Sequence, residues 1–375
     1  MTFALTGARV FDGESFHEGL AVVVDGRHIT QLVQAEALKS GIPQVGLSGG
    51  LLAPGFIDVQ VNGGGGALLN DQPTSDTVWT IAESHRRFGT TGMLPTVITD
   101  EPKVMEAAIT AVHECRTKGL ANVLGIHIEG PFLDNARKGA HDAKYIRSIT
   151  QADFETIAAA NCGSVMLTLA PNRMAAADIK KLVAMGVRVS LGHSDATFED
   201  VQAALAAGAT SFTHLFNAMS QLNGREPGMV GAALADDNSF MGVIADGYHL
   251  HDASLRIAFA AASYDRFMLV SDAMPPAAGG PETFELQGRS VKRVKGRLEL
   301  DDGTLAGSNL TMDEALRYCT NKLSVPLAKT LQMASRNPAR FLGRADLGVI
   351  KPGALASLVH LDNQLNVSKT WVEGT

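Results

Sequence analysis

Apolar and polar positions along the 375-residue chain follow two different rhythms. The first fifty residues carry short alternating runs such as AVVVDGRHITQLV, bounded by Gly and Asp, which predict antiparallel strands and tight turns. The C-terminal ASLVHLDNQLNVSKTWVEG reads the same way, as two strands about a polar turn centred on Asp362 and Asn363. Neither end holds enough apolar residues to form a core alone. The two are expected to pair into one small β-sandwich domain, residues 1–52 with 341–375.

Between them, over residues 53–340, the pattern becomes strand, helix, strand, helix. Candidate strands end near Gln60, Thr96, Glu129, Ala170, His193, His214, Asp246 and Asp272. Ala-rich stretches such as VQAALAAGA and IKKLVAMGV predict the intervening helices, and Gly89, Gly186 and Gly208 fit helix C-caps before the next strand. This α/β alternation predicts a (β/α)8 TIM-like barrel. An open doubly wound sheet is the alternative, but its Gly-rich nucleotide fingerprint is missing. The run Gly63 to Gly66 follows a strand without that spacing, and a flexible loop is its simpler reading over phosphate binding.

Composition narrows the function classes. Hydrophobic residues make up 45% and charged residues 19%, as in a compact globular protein. A formal net charge of −7 argues against general binding to nucleic acid or an anionic membrane. No apolar run reaches the ~18 residues of a membrane span, and the N-terminus lacks the pattern of a signal peptide. Cys115, Cys162 and Cys319 are scattered, which suggests a reducing compartment, hence the cytoplasm, and no cysteine–zinc site.

The strand ends carry the candidate chemistry, because parallel strands deliver distant residues to one rim of a barrel. VRVSLGH ends at His193, ATSFTH at His214, NVLGIHIEG presents Glu129 and FMLVSDA presents Asp272. Two imidazoles and a carboxylate suit a divalent ion with an open position for water, the pattern of a catalytic zinc. Such an ion lowers the pKa of water to about 7, and an Asp beside it is the natural proton carrier. His127 shares a strand face with Glu129; it reads either as a further ligand or, more simply, as a buried His bonded to a neighbouring strand. His141, His249 and Arg225 lie in loops on the catalytic side, where they could meet an oxyanion or a phosphate; surface side chains are the plainer reading.

Taken in order, PGFID, HIEGPF, LGHSDA, THLFNAM, ADGYH, VSDAM and LAGSNLTM resemble the N-acetylglucosamine-6-phosphate deacetylases of the amidohydrolase superfamily. The resemblance runs from Pro54 to Asn337-Pro338-Ala339 and implies hydrolysis of the substrate's acetamide to an amino-sugar phosphate and acetate. By that match Glu129, His193 and His214 hold one divalent ion per subunit (Zn2+ first, Fe2+ or Co2+ also suiting the donors), Asp272 is base and then acid, and His141 polarises the acetyl carbonyl. Asn217, Ala218, Arg225 and His249, with Asp246, Gly247 and Tyr248 of the same motif, are implied to meet the sugar phosphate. Ala140, Leu305, Ala306 and Gly307 are implied to line the sugar pocket. The resemblance also implies a small-molecule substrate and a homodimer or homotetramer, one phosphate ligand coming from the neighbouring subunit. Where many superfamily members carry His-x-His, this chain has Gln60 and Asn62, poor metal ligands, so a single-ion site is expected.

Overall fold

Eight parallel strands form the centre of the molecule: β1 (Phe56–Val61), β2 (Thr90–Ile98), β3 (Gly125–Glu129), β4 (Ser164–Leu169), β5 (Arg188–Leu191), β6 (Ser211–Phe212), β7 (Phe240–Val243) and β8 (Phe267–Leu269). The computed structural model describes all residues, 1–375. Each strand pairs with its neighbour in sequence. The chain beyond β8 then returns to β1, where Asp272 N donates to Gln60 O at 2.9 Å and Asn62 N to Ala273 O at 3.0 Å. That ladder closes the TIM-like barrel.

Local sequence explains the elements. The helix Phe198–Ala206 starts at a capping box in which Thr197 and Asp200 satisfy each other's backbone N–H, and it buries Val201 and Ala204. The helix Ala176–Ala184 buries Ile179 and Leu182 at helical spacing. Gly89 and Gly208 take φ of 88° and 107°, the left-handed conformation that stops a helix before β2 and β6.

Two further sheets come from the chain ends. One orders His28–Gln34, Leu20–Asp25, Thr2–Thr6 and Gln44–Gly46; the other orders Val367–Trp371, Leu358–Leu361, Leu51–Pro54, Arg9–Phe11 and Phe16–His17. Leu5, Val10, Val22, Leu52, Leu358 and Trp371 pack between them in a cluster of 12 buried residues, too few to stand without the 82-residue cluster of the barrel beside it. Named strands run to Pro54 and resume at Leu358, so residues 341–357 are helix end and loop, joined to the first of these sheets only by an isolated bridge between His28 and Leu355. No helix is long and apolar enough to cross a membrane.

Two features depart from the sequence reading. Strands β5, β6, β7 and β8 end at Leu191, Phe212, Val243 and Leu269, so His193, His214, Asp246 and Asp272 lie two or three residues beyond them. A three-stranded antiparallel sheet, Thr283–Leu286, Arg289–Val294 and Arg297–Leu300, interrupts the segment expected to be barrel alone. Its run TFELQGRSVKRVKGRLEL alternates as strands should and turns at Gly288 and Gly296, both with positive φ.

Candidate metal centre and active site

Glu129 ends β3 and points into the barrel mouth, where it is buried. His193 and His214 follow β5 and β6 with φ of 48° and 33°. This left-handed turn, unusual outside glycine, swings each imidazole from the strand direction toward Glu129. The Nε2 atoms of the two histidines are 3.0 Å apart, and Glu129 Oε1 lies 3.3 Å from His193 Nε2 and 3.1 Å from His214 Nε2. Tetrahedral ligands at zinc-type bonds of about 2.0–2.1 Å stand about 3.3–3.4 Å apart, so the three atoms nearly form one face of such a shell. His193 Nδ1 faces the Arg137 carbonyl at 3.1 Å, which fixes its proton there and leaves Nε2 free to bind. Burial pushes the Glu129 carboxyl upward, but hydrogen bonds from His193 and His214 outweigh it and hold it well below the usual range. The chemistry and spacing of this donor set fit a divalent ion, and no other cluster in the molecule offers a comparable set.

Asp272 follows β8 with a φ of 51°. Its Oδ1 accepts from Gln60 Nε2 at 3.1 Å and from Asn62 Nδ2 at 2.7 Å. The other hydrogen of the Gln60 amide goes to Glu129 Oε1 at 3.0 Å, tying the Asp272 and Glu129 carboxylates together. Gln60 and Asn62 therefore aim N–H donors at the carboxylates, the opposite of what a ligand to a second ion would do. Burial, and then repulsion from Glu129, raises the Asp272 carboxyl to about 6.

His127 stays out of the centre. Its ring nitrogens face the Thr96 hydroxyl at 3.2 Å and the Thr168 hydroxyl at 2.7 Å, and the chain continues through Thr213 to Ser190. Burial lowers this imidazole to about 4, so it is neutral and structural.

A cavity of about 400 Å³ opens over the centre. Its wall contains Glu129, His193, His214 and Asp272, together with Ala140, His141, Asn217, Ala218, His249, Leu305 and Gly307. His141 stacks edge-on against His193, centroids 4.4 Å apart, and burial holds it well below its ordinary pKa. His249 Nδ1 is 2.6 Å from Asp246 Oδ2, so Asp246 orients His249 rather than facing the cavity. Gly247 and Tyr248 also lie outside the lining, and Tyr248 is 46% exposed. Ala306 is buried against Leu286 and Leu298 beneath the three-stranded sheet. Arg225 is exposed and does not reach the cavity of its own chain.

Sequence reasoning missed Arg137, Thr304, Met274 and Leu286 as wall residues and gave Asn62 no contact with the cavity. Leu286 arrives on the three-stranded sheet, which is pinned over the mouth by Arg289, donating to Ala140 O at 2.6 Å, and by Gln287, donating to Thr99 O at 2.8 Å. The alternation around Leu286 was the available signal. The run Gly63 to Gly66 forms a tight hairpin with Ala67 and Leu68 away from the cavity.

Known proteins share this architecture. The amidohydrolase family model matches residues 51–375, and the NagA composite domain matches residues 2–52. The chain is 44% identical to N-acetylgalactosamine-6-phosphate deacetylase of Shewanella sp. (strain ANA-3), over 98% of this chain and 94% of that one. It is 34% identical to N-acetylglucosamine-6-phosphate deacetylase of Haemophilus influenzae, over 100% of this chain and 99% of that one. The crystal structure of N-acetylglucosamine-6-phosphate deacetylase from Pasteurella multocida superposes with a TM-score of 0.97 at 34% identity, covering 100% of this chain and 99% of that one. Barrel, donor triad and relatives agree: this chain belongs to the amidohydrolase family, in its branch of amino-sugar-phosphate deacetylases.

Proposed function

We propose that this protein hydrolyses the acetamide of N-acetyl-D-glucosamine 6-phosphate, giving D-glucosamine 6-phosphate and acetate, in the cytoplasmic breakdown of amino sugars. The observation that carries the reading is the triangle of Glu129 Oε1, His193 Nε2 and His214 Nε2 with Asp272 tied beside it through Gln60. Zn2+ suits this donor set best, with Fe2+ or Co2+ as alternatives; once bound it supplies Lewis acidity, lowering the pKa of water to about 7 and polarising the acetyl carbonyl.

The chain's own groups do the rest. Asp272 Oδ1 is engaged by two amide donors, so Oδ2 takes the proton from the attacking water. The same oxygen then returns that proton to the leaving nitrogen. His141, neutral and on the cavity wall, donates to the acetyl oxygen as charge builds there. Ala140, Leu305, Ala306 and Gly307 shape the sugar end. Ala218 offers its backbone N–H to the phosphate, with Asn217 beside it on the cavity wall, and His249 adds a donor whose ring is held by Asp246. Arg225, exposed on its own chain, would complete the phosphate site from a neighbouring copy, which favours a homodimer or homotetramer.

The 44% identity to a relative named for the galactosamine epimer supports a second reading, in which N-acetylgalactosamine 6-phosphate is the better substrate. Acetate release from the two epimers, each with and without the 6-phosphate, tests both. Deacetylation of phosphorylated sugar supports the reaction, and the ratio of kcat/KM values assigns the epimer. Release of acetate from neither epimer contradicts the proposal.

A further inference from the structure

Strand β4 stands between β3, which carries Glu129, and β5, which leads to His193, yet it sends no ligand to the centre. Three residues beyond its end lies Asn172, exposed on the rim. Its side chain bonds to both neighbouring loops. Asn172 Nδ2 donates to Asp134 Oδ2 at 2.6 Å, and Ser194 Oγ donates to Asn172 Oδ1 at 2.6 Å. A carboxylate can only accept, so Nδ2 must face Asp134, and Oδ1 is left for the Ser194 hydroxyl. Each partner holds one side of His193. Ser194 is the next residue and is buried; its N–H donates to Ala218 O at 3.0 Å. Asp134 N donates to His193 O at 2.9 Å, while Asp134 Oδ1 accepts from Ala136 N at 3.1 Å and Asp134 O from Arg137 N at 3.0 Å. Asp134 thereby shapes the short turn that ends at Arg137, whose carbonyl faces His193 Nδ1 at 3.1 Å. The bonds close a ring: Asn172, Asp134, Arg137, His193, Ser194 and back to Asn172. His193 needs such a frame, because a φ of 48° is costly outside glycine and persists only where the surroundings over-determine it.

We infer that Asn172 is a positioning residue for the metal centre: it clamps the backbone beside His193 and, through Asp134, the turn whose carbonyl orients the His193 ring, and so keeps Nε2 on the face it shares with Glu129 and His214. The assignment rests on the reading of those three side chains as the ligands of a divalent ion, and it adds a residue that touches none of their side chains. The two bonds of Asn172 are short, and one goes to a carboxylate, which strengthens it. Without the clamp the three donor side chains remain, but the His193 turn is free to relax out of its left-handed conformation. The cost then falls on ion affinity. Groups that fix a ligating histidine from behind are typically worth about 10–100-fold in affinity.

The test reads ion binding rather than turnover. Chelated full-length protein is titrated with Zn2+ in competition with a chromogenic chelator, for the wild type, Asn172→Ala, Ser194→Ala and the double variant. The melting temperature of each ion-free protein is recorded alongside. Asn172 is exposed, so Asn172→Ala opens no cavity in the core. The expected result is a Zn2+ affinity lower by about 10-fold, and by at least about 3-fold, in Asn172→Ala. Ser194→Ala cuts the same bond from its other end, so the double variant should bind Zn2+ as Asn172→Ala does. A loss below about 3-fold, with or without a fall in melting temperature, makes Asn172 a structural residue only and overturns the assignment. Additive losses in the double variant overturn it too, since the two residues would then act separately. If Asn172→Ala fails to fold, Ser194→Ala is read by the same affinity threshold. A wild type that binds no Zn2+ sinks the metal-centre reading itself, and is thereby told apart from a change confined to the variants.

Discussion

At Asp272 two amide donors converge on one carboxylate oxygen, so the proton transfer proposed for this residue falls to the other. Asp272→Asn removes that acceptor while keeping the side chain's size. It should retain metal and substrate binding while kcat falls by orders of magnitude, measured as acetate release. Near-normal turnover would mean the proton carrier lies elsewhere. The free carboxyl sits near 6, raised by burial and by Glu129, and must be ionised to act as a base. Activity should therefore fall as pH drops through about 6, or through a lower value once a cation beside it favours the charged form. A kcat/KM profile with no acid limb between pH 8 and 4.5 would contradict this. Arg225→Ala should weaken phosphorylated substrate far more than the unphosphorylated sugar; equal effects on KM would remove Arg225 from the phosphate site. At this scale the sequence was most informative where residue type alone limits the chemistry. Glu129, His193, His214 and Asp272, which the structure brings to one cavity, were legible as candidates because few other residues can hold a cation or carry a proton. The Asn62 amide that donates to Asp272 was not, since its direction depends on a partner 210 residues away in the chain.

Among the elements, the strand ends are where pattern and structure diverge. Apolar runs predicted strands as far as His193, His214 and Asp272, whereas the continuous strands end two or three residues earlier and only isolated bridges follow. A left-handed residue at each position turns a functional side chain inward, and hydrophobicity carries no trace of that turn. Helix ends were easier to read, because glycine marks a positive φ by necessity. Gly186 (φ 84°) has open space where a Cβ would sit, so Gly186→Ala should cost only the backbone penalty, about 1–2 kcal/mol. At Gly89 (φ 88°) the same Cβ would lie 2.7 Å from the Phe56 ring and 3.1 Å from Val359. Gly89→Ala should therefore lower the melting temperature clearly more than Gly186→Ala, and equal shifts would show that the junction around Phe56 yields freely. The three-stranded sheet over the cavity was readable in its alternation, but its position was not: only the Arg289 and Gln287 contacts place it across the mouth.

For the whole molecule, the barrel does what no segment could do alone. It gathers Glu129, His193, His214 and Asp272 from four strand ends within one buried mouth, while the chain termini close a separate pair of sheets beside it. The alternation of strand and helix made this architecture legible, since eight parallel strands in sequence order have few other ways to bury both faces. The proposed association of copies leaves no such pattern, because an exposed Arg225 reads in the sequence like any solvated arginine. The central claim is that one ion, held by those three side chains, is required for hydrolysis. Its most direct test is a titration: chelated protein is reloaded with Zn2+ while acetate release is followed against ions bound per chain. The account predicts negligible turnover without the ion and a linear rise that breaks at one equivalent. Full activity in ion-free protein, or a break at two, would contradict it.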